Sequence, residues 1–397
     1  MIEREIKTEL KKTAQEFPII TIIGPRQSGK TTLAKAAFPE YAYANLENPE
    51  HRALAVSDPK SFLKTFGAPA IIDEIQNVPE LLSWLQITVD QEPGNTAQYI
   101  LTGSHQLKLR EAVSQSLAGR TAILTLLPFS LKELGSGYIK KDRCELIIKG
   151  FMPRLHNQGI RPGRFYRDYF QTYVERDVRK LMAVEDQLTF ELFLRLLAGR
   201  IGQEINYTSL SNQVGISAPQ IKKWLSILEA SFLIFRLPPF FNNYGKRLTK
   251  SPKIYFTEVG LAAYLLGIEE PAQIERDPLF GNLFENMIVA EAYKSRLNKG
   301  YDPRIYFFRD NHQKEIDLLY PSGSSFIPME VKSSRTYRED FLKNIRYYRK
   351  LSNTGETGVL IYDGEMETDV NGIKIRNFRN VFNCGNNPNP MYQDRCQ

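Results

Sequence analysis

The stretch GPRQSGKT, residues 24–31, constrains the fold of this 397-residue chain more than any other. It fits the spacing G-x-x-x-x-G-K-[ST], follows the apolar run FPIITII and precedes a segment with helical periodicity. In a strand–loop–helix of this kind, glycines let backbone N–H groups face phosphate oxygens, and the start of the helix favours negative charge. The stretch therefore predicts a nucleotide phosphate site. The alternative is a glycine turn without a ligand.

The side chains of this loop receive separate roles. Lys30 is predicted to reach the β- and γ-phosphates and to act in catalysis, and the Thr31 hydroxyl is predicted to ligate Mg²⁺. The other predicted nucleotide-binding residues of the loop and the helix start are Gly24, Pro25, Arg26, Gln27, Ser28, Gly29 and Thr32.

The run AIIDEIQ (70–76) adds two carboxylates at the end of a predicted buried strand. Asp73 is predicted to hold Mg²⁺ through water, and Glu74 to orient and polarise the attacking water. On its own, the pattern also fits two solvated acids after a strand. Its place after the phosphate loop favours the catalytic interpretation.

Two further residues are candidates on weaker patterns. In ILTGS (100–104), Ser104, or as second choice Thr102, is predicted to touch the γ-phosphate or the lytic water. Arg120, in SLAGR, is a candidate catalytic arginine finger or sensor, and the alternative is an arginine in a surface salt bridge. We expect Arg120→Ala to lower ATP turnover while leaving ATP affinity largely intact.

The arrangement of apolar runs predicts the fold class. Helical patterns separate most of five strand-length runs in the first third, which predicts a largely parallel α/β sheet. The pattern then becomes helical from about residue 136. Residues 207–240 read as two short helices around a turn at Val214–Ser217, a helix-turn-helix, with strand-like runs and a basic loop after it. The last third is again α/β, with a helix at 282–297, three strand-like runs, a second helix and one further strand-like run. The five strand-length runs of the first third lie at 18–24, 41–47, 69–74, 97–104 and 121–128.

The segment from Pro219 to Lys253 contains seven basic residues and one acid, Glu229. Lysine and arginine contacts to phosphates supply most non-specific DNA affinity, so this surplus favours DNA contact. The alternatives are a solvated basic face and a protein-docking module. The predicted DNA contacts are Lys222, Lys223, Lys246, Arg247, Lys250 and Lys253.

A second acidic pattern lies in EIDLLYPSGSSFIPMEVKSS (315–334). Residues i and i+2 of a strand face the same side, so Glu330 and Lys332 are expected to project together toward Asp317. This arrangement resembles the PD-(D/E)xK nuclease core. Asp317 and Glu330, with Glu285 on the preceding helix, are predicted to bind Mg²⁺, and Lys332 to orient or deprotonate water. A nuclease fold that only binds, and a surface salt-bridge set, are the alternatives.

The net charge, the lengths of the apolar runs and the counts of cysteine and histidine limit the class of protein. A net charge of +7 permits a polyanionic partner. The longest apolar runs fall far short of the ~20 residues of a membrane span, and the charged N-terminus is no secretory signal. Three cysteines without CxxC spacing favour a reducing cytoplasm, and four scattered histidines form no visible metal cluster.

The motif series resembles a large prokaryotic family, AAA_14/DUF4143, whose members pair an AAA-type P-loop ATPase domain with a C-terminal domain of unknown function. The matching stretches cover nearly the whole chain. The resemblance implies ATP binding and hydrolysis, a winged helix and a restriction-endonuclease-like C-terminal domain. The stretches that carry it include GPRQSGKTTL, IIDEIQ, LTGSHQ, LAGRTAILTLLPFSLKEL, YVERDVRKL, LEASFLIFRLPPFFNNYGKRLTKSPKIYFTEVGLAAYLLGI and FGNLFENMIVAE.

Together these patterns predict a multidomain α/β protein. The expected parts are a P-loop ATPase domain (1–135), a helical linker or lid (136–200), a winged helix (201–268), a PD-(D/E)xK nuclease-like domain (269–385) and an irregular tail (386–397).

Two functions are compatible with this organisation. In the first, an ATPase using ATP and Mg²⁺ acts on DNA, with endonuclease activity left open. In the second, an ATP-gated regulatory switch binds a protein partner and the nuclease fold is inactive. A homo-oligomer is compatible with both. The sequence gives neither the preferred DNA nor the biological role.

Overall fold

The computed structural model describes residues 2–104, 116–135, 137, 141–182, 184, 186–240, 251–352 and 357–381. Its N-terminal sheet has five parallel strands in the order β2-β3-β4-β1-β5. All five predicted strands form. They are β1 (Ile19–Ile23), β2 (Ala42–Asn45), β3 (Ala70–Asp73), β4 (Tyr99–Gly103) and β5 (Thr121–Thr125).

Both faces of this sheet are buried, as expected for parallel strands. Along β1, Ile20 and Ile22 belong to one hydrophobic core, and Ile19 and Ile23 belong to another on the opposite face. Because every strand runs the same way, the carboxyl ends of the strands meet at one edge. The helices of this part are Lys7–Thr13, Lys30–Ala37, Pro49–Ser57, Pro59–Thr65 and Leu81–Gln91.

The segment after β5 is helical, as predicted. One helical stretch runs from Pro162 to Met182 and widens to a π-helix at Phe170–Val178. Its aromatic side chains Phe165, Tyr169 and Tyr173 are buried. The other helices are Leu131–Leu134, Arg143–Lys149, Pro153–Asn157 and Gln187–Ala198.

The two helices of the expected helix-turn-helix form at Tyr207–Val214 and Ala218–Ala230. Gly215 ends the first helix with φ +80°, and the Ser217 hydroxyl caps the second by accepting from the Gln220 N–H at 3.4 Å. Strands β6 (Ile234–Leu237) and β7 (Lys253–Phe256) follow as an antiparallel pair. Residues 241–250, most of the loop between them, lie outside the described residues.

The C-terminal sheet is mixed, in the order β12-β13-β11-β10-β9-β8. The predicted series of a helix, three strands, a helix and a strand is observed, whereas β12 and β13 were not predicted. The strands are β8 (Tyr306–Arg309), β9 (Glu315–Ser322), β10 (Ser325–Lys332), β11 (Gly358–Tyr362), β12 (Thr368–Val370) and β13 (Ile373–Asn377). The helices are Val259–Leu265, Pro271–Ile274, Phe280–Leu297, Lys343–Ser352 and Phe378–Val381, with a 3₁₀ turn at Glu339–Leu342.

A single hydrophobic core extends from Phe129 to Val381 and joins the helical segment, the β6–β7 hairpin and the C-terminal sheet. The helix Phe280–Leu297 also contacts the end of the N-terminal domain. On this helix, buried Glu291 accepts from the Leu131 N–H at 2.7 Å, and Lys294 donates to the Phe129 carbonyl at 2.8 Å. Among the described residues, no helix is both long and apolar enough to cross a membrane.

Candidate functional site

The phosphate loop lies between β1 and the helix Lys30–Ala37, at the carboxyl edge of the N-terminal sheet. The backbone geometry of the loop requires both of its glycines. A Cβ on Gly24 would lie 2.0 Å from the Leu126 carbonyl oxygen, and Gly29 adopts φ +93° as the helix begins. The loop can therefore take this path only with glycine at these positions.

Lys30 is buried against the loop. Its ammonium donates to the carbonyl oxygens of Gly24 and Pro25, both at 3.0 Å. Burial lowers the pKa of Lys30 to about 8, although Glu74 and Asp73 oppose the change. An anion that approaches this ammonium would replace part of its lost solvation.

Asp73, at the end of β3, accepts hydrogen bonds from three hydroxyl groups. Thr31 donates to both carboxylate oxygens at 2.9 Å, and Tyr43 donates to Oδ2 at 2.9 Å. Thr102, from β4, donates to Oδ1. The predicted magnesium ligands Thr31 and Asp73 thus meet, and their oxygen donors suit Mg²⁺.

Glu74 follows Asp73 in a left-handed conformation, φ +56°. Its Oε2 accepts from the Ser104 hydroxyl at 3.2 Å and from the Gln76 amide. Ser104 is thus hydrogen-bonded to Glu74, and Thr102 to Asp73. The contact of Ser104 with the γ-phosphate or the lytic water stays a prediction. Gln76 was missed, although it lies two residues after Glu74 within the motif.

The remaining loop residues differ in their surroundings. The Ser28 hydroxyl is fully buried and has no hydrogen-bond partner among the described residues, which fits a loop shaped for a polar ligand. Gln27 has φ +63° and Thr32 is exposed.

Beside the loop is a cavity of about 340 Å³, lined partly by Ser28, Gly29, Thr32 and Phe129. Two larger cavities, of about 1040 and 660 Å³, lie away from the loop.

Arg26 reaches out of the loop toward the helical segment. It forms an ion pair with Asp177 at 3.1 Å and lies 3.9 Å from Glu47. Its guanidinium carbon lies 5.7 Å from the centre of the Tyr173 ring. The Asp177 contact was missed, although Asp177 belongs to the stretch YVERDVRKL.

Arg120 lies away from the phosphate loop of its own chain, and it forms the salt bridge that was the alternative to its predicted role as arginine finger or sensor. It forms a two-bond ion pair with Asp90, at 2.6 and 2.8 Å. Its carbonyl accepts from the Ile19 N–H, at the start of β1. Arg120 is thus at the amino edge of the sheet, and the phosphate loop is at the carboxyl edge.

In the C-terminal sheet, three of the four predicted nuclease residues come together. Lys332 lies 2.8 Å from Glu330 Oε1 and 3.9 Å from Asp317 Oδ2. Asp317 also accepts from the Val331 N–H at 2.8 Å. The fourth residue, Glu285, accepts from Tyr255 at 2.5 Å and from Lys253 at 3.3 Å.

We call Glu285, Asp317 and Glu330 the carboxylate cluster. Burial is the largest influence on the pKa values of Glu330 and Glu285. It raises the pKa of Glu330 to about 8, with Asp317 contributing in the same direction. Burial also raises the pKa of Glu285. Glu330 Oε2 is buried without a hydrogen-bond partner in the described part of the chain, which fits a cation ligand. However, no three His, Cys, Asp or Glu residues of the described ranges are grouped closely enough to hold a metal. The set Glu285, Asp317 and Glu330 therefore stays a prediction.

The predicted DNA contacts separate into three groups. Lys253 is buried, with 3% of its surface exposed, and pairs with Glu315 at 2.6 Å as well as with Glu285, so its prediction as a DNA contact was wrong. Lys222 and Lys223 are exposed on the second helix of the pair. Lys246, Arg247 and Lys250 lie outside the described residues.

Three family models match the chain. An AAA domain matches residues 16–135, a domain of unknown function, DUF8612, matches 140–272, and a second domain of unknown function, DUF4143, matches 280–380. The DUF8612 match spans both the expected helical linker and the expected winged helix.

The chain is also similar to individual proteins. An uncharacterized protein of Mycobacterium tuberculosis is 29% identical over 338 residues, which cover 84% of this chain and 74% of that protein. An uncharacterized protein of Haemophilus influenzae is 23% identical, covering 94% and 97%. Among solved structures, a Walker-type ATPase of Pyrococcus abyssi is 15% identical, covers 67% of this chain and 96% of that chain, and has a TM-score of 0.45.

The AAA match covers the parallel sheet and the phosphate loop, and it supports an ATP-binding ATPase. The DUF4143 match covers the mixed sheet and the carboxylate cluster. By these matches, the chain is a protein that pairs an AAA-type ATPase domain with a C-terminal DUF4143 domain, as the resemblance of its motifs implied.

Proposed function

We propose that the protein is a Mg²⁺-dependent ATPase whose nucleotide state controls a DNA-contacting helical module and a nuclease-like C-terminal domain. The observation that carries the ATPase part is the meeting of Lys30, Thr31 and Asp73 beside Glu74 at one sheet edge. The buried Ser28 hydroxyl of the phosphate loop, which has no hydrogen-bond partner among the described residues, also supports a bound polar ligand.

Each group has a defined task in hydrolysis. Lys30 would hold the β- and γ-phosphates, and Thr31 and Asp73 would hold Mg²⁺, which would supply positive charge next to the phosphates. Glu74, supported by Ser104 and Gln76, orients a water toward the γ-phosphorus and accepts its proton. The bond from the γ-phosphorus to the bridging oxygen breaks, and ADP and inorganic phosphate leave.

Two features support action on DNA. The helices Tyr207–Val214 and Ala218–Ala230, followed by the β6–β7 hairpin, are arranged as a winged helix would be, and Lys222 and Lys223 are exposed on the second helix. Lysines in such a position contact phosphates.

The C-terminal domain supports a nuclease-like role through its order of elements. A helix, three strands, a second helix and a parallel strand place Asp317 on β9 and both Glu330 and Lys332 on β10. Asp317 and Glu330 would hold Mg²⁺, and Lys332 would orient or deprotonate the attacking water.

The second candidate function is an ATP-gated switch that binds a protein partner and contains an inactive nuclease fold. One observation favours it: Lys253 and Lys332 already neutralise the carboxylates of the cluster. A cytoplasmic location, as the cysteine pattern of the sequence predicts, suits both functions.

The decisive experiment measures phosphate release by the purified full chain with and without duplex DNA, with Lys30→Ala as control. We expect turnover that depends on Mg²⁺, rises with DNA and is lost in the control. Turnover that Lys30→Ala leaves unchanged would refute the ATPase proposal. Turnover that is indifferent to DNA would favour the switch.

A second assay tests cleavage. Nicking of supercoiled DNA with Mg²⁺ or Mn²⁺ is expected in the wild type and is expected to disappear in Asp317→Ala. If no metal supports nicking of any DNA form, the C-terminal domain is a binding module.

A further inference from the structure

The contact between Arg26 and Asp177 is the polar link from the phosphate loop to the helical segment. Arg26 Nη1 lies 3.1 Å from Asp177 Oδ2, and the two side chains retain 31% and 17% of their exposure. Asp177 stands in the π-helix Phe170–Val178, so a residue of the predicted phosphate site is held by another part of the chain.

Arg26 is shared between two acids, and Asp177 between two arginines. Glu47, 57% exposed, approaches Arg26 to 3.9 Å from the ATPase domain. Arg176 donates to Asp177 at 2.8 Å. Because Asp177 keeps a second cationic neighbour, Arg26 can leave without exposing an uncompensated carboxylate.

A bound triphosphate would compete for Arg26. This arginine stands in the middle of the loop between Gly24 and Lys30, whose backbone is expected to surround the phosphates. Guanidinium groups bind phosphate oxygens through two parallel hydrogen bonds. A partly exposed ion pair is weak, so a nearby phosphate can outcompete Asp177 for Arg26.

We propose that Arg26 exchanges its partner, from Asp177 to the terminal phosphate of a bound nucleoside triphosphate, and so releases the π-helix from the phosphate loop. Asp177 is then a positioning residue that acts through Arg26 and sets how strongly the loop prefers a triphosphate over a diphosphate. This inference rests on the proposed ATP site.

The π-helix is suited to respond. A π-turn inserts one residue into an α-helix and is frequently found at functional sites. Tyr173, next to Arg26, also donates to the Ser231 carbonyl at 3.1 Å, and Ser231 caps the helix Ala218–Ala230. A shift of Tyr173 would therefore reach the helix that carries Lys222 and Lys223.

The test compares the affinities of mant-ATP and mant-ADP for the full chain with Mg²⁺. In Asp177→Asn, we expect mant-ATP to bind about two- to fivefold more tightly while mant-ADP is unchanged, since a competitor for Arg26 is weakened. Asp168→Asn is the matched control, because Asp168 is an exposed acid on the same helical stretch whose arginine partners, Arg164 and Arg167, are also exposed. It should leave both affinities unchanged.

The opposite change is expected in Arg26→Gln, which should lower the preference for mant-ATP over mant-ADP, with partial recovery in Arg26→Lys. Hydrogen exchange across residues 170–182 gives a second readout: protection should fall with ATPγS and stay constant with ADP. Thermal denaturation checks that each variant is folded.

The outcomes separate this inference from the proposed function. If the wild type binds neither mant-nucleotide, the proposed ATP site and the exchange of partners by Arg26 are both refuted. If the wild type binds them and Asp177→Asn shifts both affinities equally or neither, the exchange of partners is refuted and the ATP site stands. An unchanged triphosphate preference in Arg26→Gln would refute the exchange equally.

Discussion

The nucleotide edge of the N-terminal sheet and the carboxylate cluster of the C-terminal domain both contain buried acids, but the groups that face these acids differ in charge. Asp73 is surrounded by the neutral hydroxyls of Thr31, Tyr43 and Thr102. Glu285 and Glu330 each contact a lysine of the same chain, Lys253 and Lys332 respectively.

The groups that contact the carboxylates therefore suit the two sites of this chain to different tasks. Hydroxyl donors orient Asp73 without forming an ion pair with it, and the Lys30 ammonium interacts with its charge only at longer range. In the C-terminal cluster, an incoming cation must compete with ammonium groups that are already present. We therefore expect metal and nucleotide to dominate at the first site, and internal charge pairing to dominate at the second.

The largest effect is expected at the nucleotide edge. Glu74→Gln should lower ATP turnover about a thousandfold, because a general base contributes 10²–10⁴-fold, while mant-ATP affinity stays close to wild type. Phosphate release and mant-ATP titration measure the two quantities. Glu80→Gln, at an exposed acid before the helix Leu81–Gln91, is the control and should leave turnover intact. A loss of binding that parallels the loss of turnover would contradict the role of Glu74.

At the carboxylate cluster, the main effect should be on stability. Lys253→Met leaves Glu285 without its cation, whereas Glu315 keeps Arg309 at 3.3 Å. Breaking a buried pair in this way costs about 3 kcal/mol. The free energy of unfolding in urea measures the loss. Lys222→Met, at an exposed lysine, should change it little. If adding Glu285→Gln to Lys253→Met restores no stability, the pairing is not the cause.

A smaller effect, dependent on pH, returns to the nucleotide edge. The pKa of Lys30 is lowered to about 8, so its charge is present below pH 8 and is lost as the pH rises above it. We expect the affinity for mant-ATP to fall about tenfold per pH unit above 8, until the pKa of the bound form is reached. Lys30→Arg should flatten the profile because arginine stays charged. An equal slope in both proteins would assign the titration to another group.

The smallest effect is expected at Arg120. Its ion pair with Asp90 is exposed and lies at the far edge of the sheet, so Arg120→Ala should change ATP turnover less than twofold. This reverses the expectation from the sequence, and steady-state phosphate release decides between them. A large drop would mean that Arg120 acts on the site of a neighbouring subunit.

The sequence predicted the nucleotide edge well because parallel strands impose its geometry. Strand ends that share an edge bring Thr31, Asp73 and Glu74 together whatever the intervening helices do. The same rule places Arg120 away from the nucleotide edge of its own chain, since a residue before a parallel strand lies at the opposite edge. The short strands β12 and β13 escaped prediction because they lack a long apolar run.

Burial of charged residues was harder to predict. Lys253 lies in a basic segment, and nothing local shows that Glu285 and Glu315, 32 and 62 residues downstream, neutralise it. The ion pair of Arg26 with Asp177 crosses an even longer stretch of chain. Such pairs depend on how segments dock, for which periodicity and motif spacing give no information.

The close approach of Gly24 to the Leu126 carbonyl has a consequence for biosynthesis. The Leu126 carbonyl, against which the phosphate loop packs, belongs to a residue about one hundred positions later, directly after β5. In a nascent chain whose β5 has not yet joined the sheet, this contact is missing, so the loop cannot be fixed in its final shape. Nucleotide capture should therefore begin only after the complete N-terminal sheet has left the ribosome, which makes ATP a late ligand rather than a template for folding.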